Sequence, residues 1–135
     1  MPARVLIIED DPDIAEVLRY GLERESFQTR IALTGEDGLN ASLDPTDRPS
    51  LILLDLLLPA MNGFELCRRL RRERATCQIP IIIVSAKAFE IDMATSLQLG
   101  ANAYFGKPFS LRDIVTRVRS LLPNESKASL DHTTA

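Results

Sequence analysis

Residues 51–66 read LILLDLLLPAMNGFEL. Leu51–Leu54 run without polar alternation into a carboxylate, Asp55. Pro59 and Asn62-Gly63 then punctuate the chain before an apolar helical spacing starts at Phe64. A short unbroken apolar run suits a strand covered on both faces, as in a parallel sheet. Asp55 also interrupts the greasiest run of the chain, so no stretch approaches the ~18 apolar residues of a membrane span.

Outward from this stretch the same grammar repeats. Val5–Ile8 and Ile81–Val84 are apolar, largely β-branched runs; Gln28–Ala32 is more polar and belongs at a sheet edge; Ala103–Gly106 is a short fifth candidate. Helical patterns lie between them. Ile14, Val17, Leu18 and Leu22 share one expected face, with Pro12 in the first turn, where a missing N–H does no harm. Thr34–Leu43 is a weak helix with two glycines. Phe64, Cys67 and Leu70 mark a third, with Asn62 as its cap. Phe89–Leu99 is helical by length but poorly patterned and ends at Gly100. Leu111, Ile114, Val115, Val118 and Leu122 form the clearest stripe, capped by Ser110. The order βαβαβαβαβα predicts a doubly wound α/β domain with a five-stranded parallel sheet and helices on both faces. The domain is read as residues 1–122, and residues 123–135, PNESKASLDHTTA, as a disordered polar tail or linker stump.

Composition narrows the function. The 135 residues carry a net charge of −3, with no general pull toward nucleic acid or anionic membrane. The start shows no signal peptide, and Cys67 and Cys77 have no histidine or third cysteine near them. Reduced thiols in a cytoplasmic protein are therefore expected, and a zinc site is not. The single histidine, His132, lies in the polar tail, which all but excludes histidine-dependent catalysis.

Ligands of open parallel sheets bind beyond the carboxyl ends of the strands. After the first run come Glu9, Asp10 and Asp11; Asp55 ends the third, Ser85 the fourth, and Lys107 follows the fifth. Crowded carboxylates resist joint ionisation, and a hard divalent cation such as Mg²⁺ relieves them while taking phosphate oxygens. Lys107 and Ser85 can serve the other sides of a phosphoryl group. Asp55 is then a metal ligand or a nucleophile. A hydrolase of the aspartyl-phosphate type needs a second Asp two residues on, where this chain has Leu57. A nucleotide or flavin module needs a Gly-rich first loop, where this chain is acidic.

The segments VLIIEDDPDIAEVL, LILLDLLLPAMNGFEL, IIIVSAK and YFGKPFSLRDIVTRVRSLL together resemble the receiver domain of bacterial two-component response regulators over about residues 4–122, most closely the winged-helix (OmpR/PhoB-like) subfamily. The resemblance implies a flavodoxin-like, CheY-like (βα)5 fold with strand order 2-1-3-4-5. It makes Asp55 the phosphoacceptor. It makes Asp10, Asp55 and the Leu57 carbonyl Mg²⁺ ligands, with Glu9 their water-bridged partner. Ser85 and Tyr104 become the switch pair, and Lys107, with a cis peptide before Pro108, holds the phosphoryl group. Leu57 and Lys87 match positions that tune the lifetime of the phosphorylated state; Asp11 falls outside the family's acidic pair and suits a helix start. The implied protein is a signalling switch and not a metabolic enzyme. Its partners would be a sensor histidine kinase or histidine phosphotransfer protein and an output domain or downstream protein. No direct contact of this chain with nucleic acid or membrane is expected.

Some positions depart from the family pattern. The usual dimer uses a face built from the fourth expected helix, the fifth strand and the last helix. Gln98, Asn102 and Ala103 stand there in place of acids, although Arg117 is present, so that dimer is not expected. Gly106 replaces a larger residue and Ser50 an acid. The run Arg68, Arg69, Arg71, Arg72, Arg74 is read as closing the carboxyl end of the third helix, with Glu65 and Arg69 as an i,i+4 pair.

Overall fold

A computed structural model describes residues 2–86, 94–95 and 97–122. Five strands, β1 (Arg4–Ile8), β2 (Gln28–Ala32), β3 (Leu51–Leu54), β4 (Ile81–Ser85) and β5 (Ala103–Gly106), form one parallel sheet in the order β2-β1-β3-β4-β5. The helices that lie wholly within the described residues are α1 (Pro12–Glu23), α2 (Gly35–Leu43), α3 (Gly63–Arg72) and α4 (Leu111–Leu121).

The two-residue period of a strand divides the core in two. Val5, Ile7, Leu51, Leu53, Ile82 and Val84 face α1 and α4, with Leu18, Leu22, Ile114 and Val118 beneath them. Leu6, Ile8, Ile52, Leu54, Ile81 and Ile83 face the other way, toward α2 and α3. Strands apolar at every position are thus explained by cover on both sides. β2 has only Ala32 buried, in keeping with its polar run.

The helix starts are set by side chains that accept otherwise orphaned backbone N–H groups. Asp11 accepts from Asp13 and Ile14, Thr34 from Asp37, Asn62 from Glu65 and Ser110 from Asp113. In α1 the buried face is Ala15, Leu18, Gly21 and Leu22; Val17, expected on it, is 47% exposed. At about 100° per residue, Val17 lies a full step away from the Leu18 direction, and the small residues Ala15 and Gly21 take its place. Gly21 lets α1 come close to Leu111 of α4, whose side chain a Cβ would meet at 2.7 Å. Of the expected helix Phe89–Leu99, most residues lie outside those described, as do Lys87 and residues 123–135. Its end is visible: Leu99 N–H bonds to the Thr95 carbonyl, and Gly100 stops it at φ +98. Among the described residues no helix is long and apolar enough to cross a membrane.

Candidate functional site

The sheet brings its chemistry to one edge. Backbone bonds from Glu9 N–H to the Ala32 carbonyl and from Asp55 N–H to the Ile8 carbonyl continue the ladder one residue past β1 and β3. Both carboxylates are thereby fixed at adjacent strand ends. Glu9 is 2% and Asp55 4% exposed, whereas Asp10 faces solvent. One oxygen of each of these three residues lies within 4.8 Å of the others. Lys107, carried beyond β5 and followed by a cis Lys107–Pro108 bond, reaches back to them. Its Nζ lies 2.7 Å from Glu9 Oε1 and 3.1 Å from Asp55 Oδ2.

The second oxygens are also engaged. Asp11 N–H donates to Glu9 Oε2 at 3.2 Å, and Leu57 N–H to Asp55 Oδ1 at 2.9 Å. Asp11 therefore serves the site through its backbone while its side chain starts α1. Burial pushes the Glu9 carboxyl up to about 7, against the opposing pull of Lys107. Burial alone would lower the Lys107 ammonium, but its bonds to Glu9 and Asp55 outweigh this and hold it above its usual range. Two buried carboxylates thus share one ammonium, and Asp10 adds a third acid at the mouth. Such a set of hard oxygen donors fits a small divalent cation, which would offset the surplus negative charge.

Gly63 explains how the loop after Asp55 folds back so closely. A Cβ there would stand 2.5 Å from Leu56 Cα and 2.6 Å from the Asp55 carbonyl oxygen, and Gly63 N–H bonds to the Leu56 carbonyl. The same loop contains Ala60 at φ +68, a left-handed conformation uncommon for a residue with a side chain. Ser85, at the end of β4, is wholly buried, and its Oγ has no hydrogen-bond partner among the described residues. Lys107 N–H donates to the Ser85 carbonyl at 2.8 Å, which ties the β4 and β5 ends together. Tyr104 is half-buried on β5 against the α2/α3 side of the core, with its hydroxyl out of water. Leu57 is 44% exposed at the rim.

The expected set Glu9, Asp10, Asp55 and Lys107 is therefore one cluster, while Lys87 lies outside the described residues. The arginine run needs correction. Glu65 pairs with Arg68, three residues on, at 3.1 Å and approaches Arg72, seven residues on, at 3.9 Å, and makes no ion pair with the expected Arg69. Arg69, Arg71 and Arg72 do stand in the last turn of α3, as expected of its carboxyl end, but Arg71 does more. It turns inward, donating to the carbonyls of Ile79 at 2.7 Å and Gly100 at 2.8 Å and to Asn102 Oδ1 at 3.1 Å.

The response regulator receiver domain family matches residues 5–119. Curated relatives include the alkaline phosphatase synthesis transcriptional regulatory protein SphR of Synechococcus elongatus, 40% identical over 127 residues, covering 89% of this chain and 49% of the relative. The protein of the same description from Bacillus subtilis, PhoP, is 37% identical over 122 residues, covering 90% and 49%. The DNA-binding response regulator MtrA of Mycolicibacterium smegmatis is 40% identical over 122 residues, covering 90% and 51%. The chain spans about half the length of these relatives. Among solved structures, a CheY-like response regulator receiver domain protein from Methanospirillum hungatei superposes with a TM-score of 0.81 at 31% identity, covering 89% of this chain and 93% of that one.

Proposed function

The chain belongs to the response regulator receiver domain family, and from that premise we propose that Asp55 is the acceptor of the phosphoryl group by which this switch is set. The observation that carries the reading is the seat of Asp55. Its carboxylate is buried at a strand end, one oxygen on Lys107 Nζ, beside the two other acids of a cation-sized cluster.

Glu9, Asp10, Asp55 and the Leu57 backbone carbonyl would hold Mg²⁺, which supplies charge neutralisation for an incoming phosphoryl group. The residues of the chain do the rest. One Asp55 oxygen attacks phosphorus as the bond from phosphorus to the donor, an imidazole nitrogen of a phosphohistidine, breaks; the imidazole leaves with the electron pair and takes a proton from water. Lys107 exchanges its bond to Asp55 for one to a phosphoryl oxygen, where charge accumulates in the loose transition state. Ser85, whose hydroxyl lacks a partner among the described residues, donates to another phosphoryl oxygen, and Tyr104 follows into the space it leaves. A nearly complete switch of this kind requires about 5.5 kcal/mol of differential interaction.

The phosphodonor is a sensor histidine kinase, a histidine phosphotransfer protein or a small phosphodonor, and the setting is cytoplasmic. The output is transcriptional, as the names of the relatives suggest, and lies outside residues 1–122. The phosphorylated form is long-lived, because exposed Leu57 offers no hydrogen-bonding group to orient a hydrolytic water. Incubation with phosphoramidate and Mg²⁺, followed by intact mass and peptide mapping, tests the assignment. One phosphoryl group on Asp55 and none in Asp55→Asn is the expected result; undiminished labelling of that variant refutes it.

A further inference from the structure

The most heavily bonded side chain among the described residues stands at the end of the sheet opposite Asp55. Arg71, in the last turn of α3, is half-buried and meets neutral acceptors from two separate loops. In the connection between α3 and β4 it donates to the carbonyls of Thr76 (3.4 Å), Cys77 (3.2 Å) and Ile79 (2.7 Å), all through Nη1. In the turn before β5 it donates to the Gly100 carbonyl through both Nε (3.0 Å) and Nη2 (2.8 Å), and to Asn102 Oδ1 through Nη2 (3.1 Å). Asn102 Oδ1 also accepts from Ile81 N–H at 2.9 Å, and Asn102 N–H donates to the Ile81 carbonyl at 2.7 Å. The first residue of β4 and the turn before β5 are thus locked to one guanidinium.

Every one of these acceptors is an uncharged oxygen, so the arrangement is no salt bridge. It is a planar fork that closes the ends of backbone segments, a task for which a lysine's single point of charge is no substitute. The surrounding atoms are fitted to it. A Cβ on Gly100 would meet Arg71 Nε at 2.9 Å, so the guanidinium occupies the space a side chain would need. Thr76, wholly buried, holds the other loop by donating its hydroxyl to the Leu70 carbonyl at 2.6 Å.

We propose that Arg71, with Asn102, is a positioning residue that anchors the Gly100–Asn102 turn. In the phosphorylation switch, on whose reading above this inference rests, displacement that starts at Ser85 is then stopped before it reaches the amino ends of β4 and β5. Residues 86–99 join two ends of different character. One, Ser85, ends β4; the other, Gly100, is held by Arg71, whose six contacts include five to backbone carbonyls. A turn tied to α3 by three of these bonds resists displacement that begins at the other end of β4.

The test uses the full 135-residue chain and amide hydrogen exchange, with and without beryllofluoride and Mg²⁺ as a stable phosphoryl mimic. In Arg71→Gln the Ile81, Gly100 and Asn102 amides should exchange at least tenfold faster than in wild type. Leu18 and Val118 amides, in α1 and α4, should change less than threefold. Beryllofluoride should alter the three reporter amides less than twofold in wild type and at least fivefold in the variant. Labelling of Asp55 by phosphoramidate should stay within twofold. Asn102→Ala, a smaller change, should move the same amides in the same direction should Arg71→Gln fail to fold, and Arg71→Lys should not restore them. A uniform rise at all amides, no rise at the reporters, or a wild type whose reporters already respond fivefold to beryllofluoride overturns the anchor. Failure of wild type to take up phosphoryl strikes the Asp55 reading instead, and the metal-free comparison of variant and wild type still decides the anchor.

Discussion

Replacing Glu9 by Gln isolates what the site costs the fold in the absence of metal. The native carboxyl sits at about 7 against 4.5 for an ordinary glutamate, with burial the largest cause. A raised native value means that the folded state holds the proton more tightly than the unfolded one between those two values. Stability from this group is fully present below pH 4.5 and is lost as pH rises through 7. At ~1.4 kcal/mol per unit, the loss between pH 5 and pH 8 is on the order of 2 kcal/mol, since part has already occurred by pH 5. Glutamine cannot ionise and shows none of this loss. It has a fixed cost of its own: the amide that replaces one carboxylate oxygen is a donor, and both Lys107 Nζ and Asp11 N–H require acceptors. One lost hydrogen bond costs about 1 kcal/mol, the same at either pH. The decisive quantity is therefore the change in the difference between variant and wild type. In metal-free buffer, Glu9→Gln should gain about 2 kcal/mol on wild type from pH 5 to pH 8, roughly 4–10 °C in melting temperature for a domain of this size. Millimolar Mg²⁺ at pH 8 should shrink that gain, because it binds the ionised wild-type site by mass action. Thermal melts at the two pH values check this, and a variant-to-wild-type difference that is the same at pH 5 and pH 8 refutes the burial argument.

Asp10→Asn removes the exposed acid of the same cluster; its metal-free melting temperature should rise by a few degrees, and added Mg²⁺ should no longer raise it, as thermal melts over a Mg²⁺ titration will show. Leu57→Asn with Lys87→Glu introduces groups able to orient water near the acyl phosphate, so decay after donor removal should quicken on the order of tenfold to a hundredfold; decay of wild type in seconds, or no acceleration, contradicts the reading. Ala60→Gly relieves the left-handed φ of +68 at some cost in unfolded-chain entropy, for a net gain of roughly 0.5 kcal/mol in urea unfolding.

Much of the fold is legible in the chain because burial on both faces leaves a direct trace. Val5–Ile8, Leu51–Leu54 and Ile81–Val84 are apolar at every position since each successive side chain meets a different helix layer. Once those runs are strands, parallel topology brings Glu9, Asp55, Ser85 and Lys107 to a common edge, where the carboxylates and the ammonium meet. Asp11, Asn62 and Ser110 as caps follow from local rules that need no tertiary information. Val17 misleads because a valine counts as apolar wherever the helix is rotated, and two small residues, Ala15 and Gly21, carry the real contact face.

Arg71 is hidden for a different reason. Its acceptors are mostly backbone carbonyls, which every residue possesses and no residue type announces. Yet the helix period holds a trace. Gly63, Cys67 and Leu70 are buried in α3, and position 71 continues their spacing, four residues after Cys67 and eight after Gly63. An arginine on the apolar side of a helix has to find partners for its five donors, because leaving them buried and unbonded costs more than the fold can spare. Arg68, Arg69 and Arg72 are exposed, and Arg68 and Arg72 approach Glu65. In a run of like charges, phase along the helix separates the arginine that organises backbone from those that face water. The edge that gathers Glu9, Asp55 and Lys107 is thus readable from residue chemistry, and the opposite edge from periodicity, which sets Arg71 apart from its neighbours.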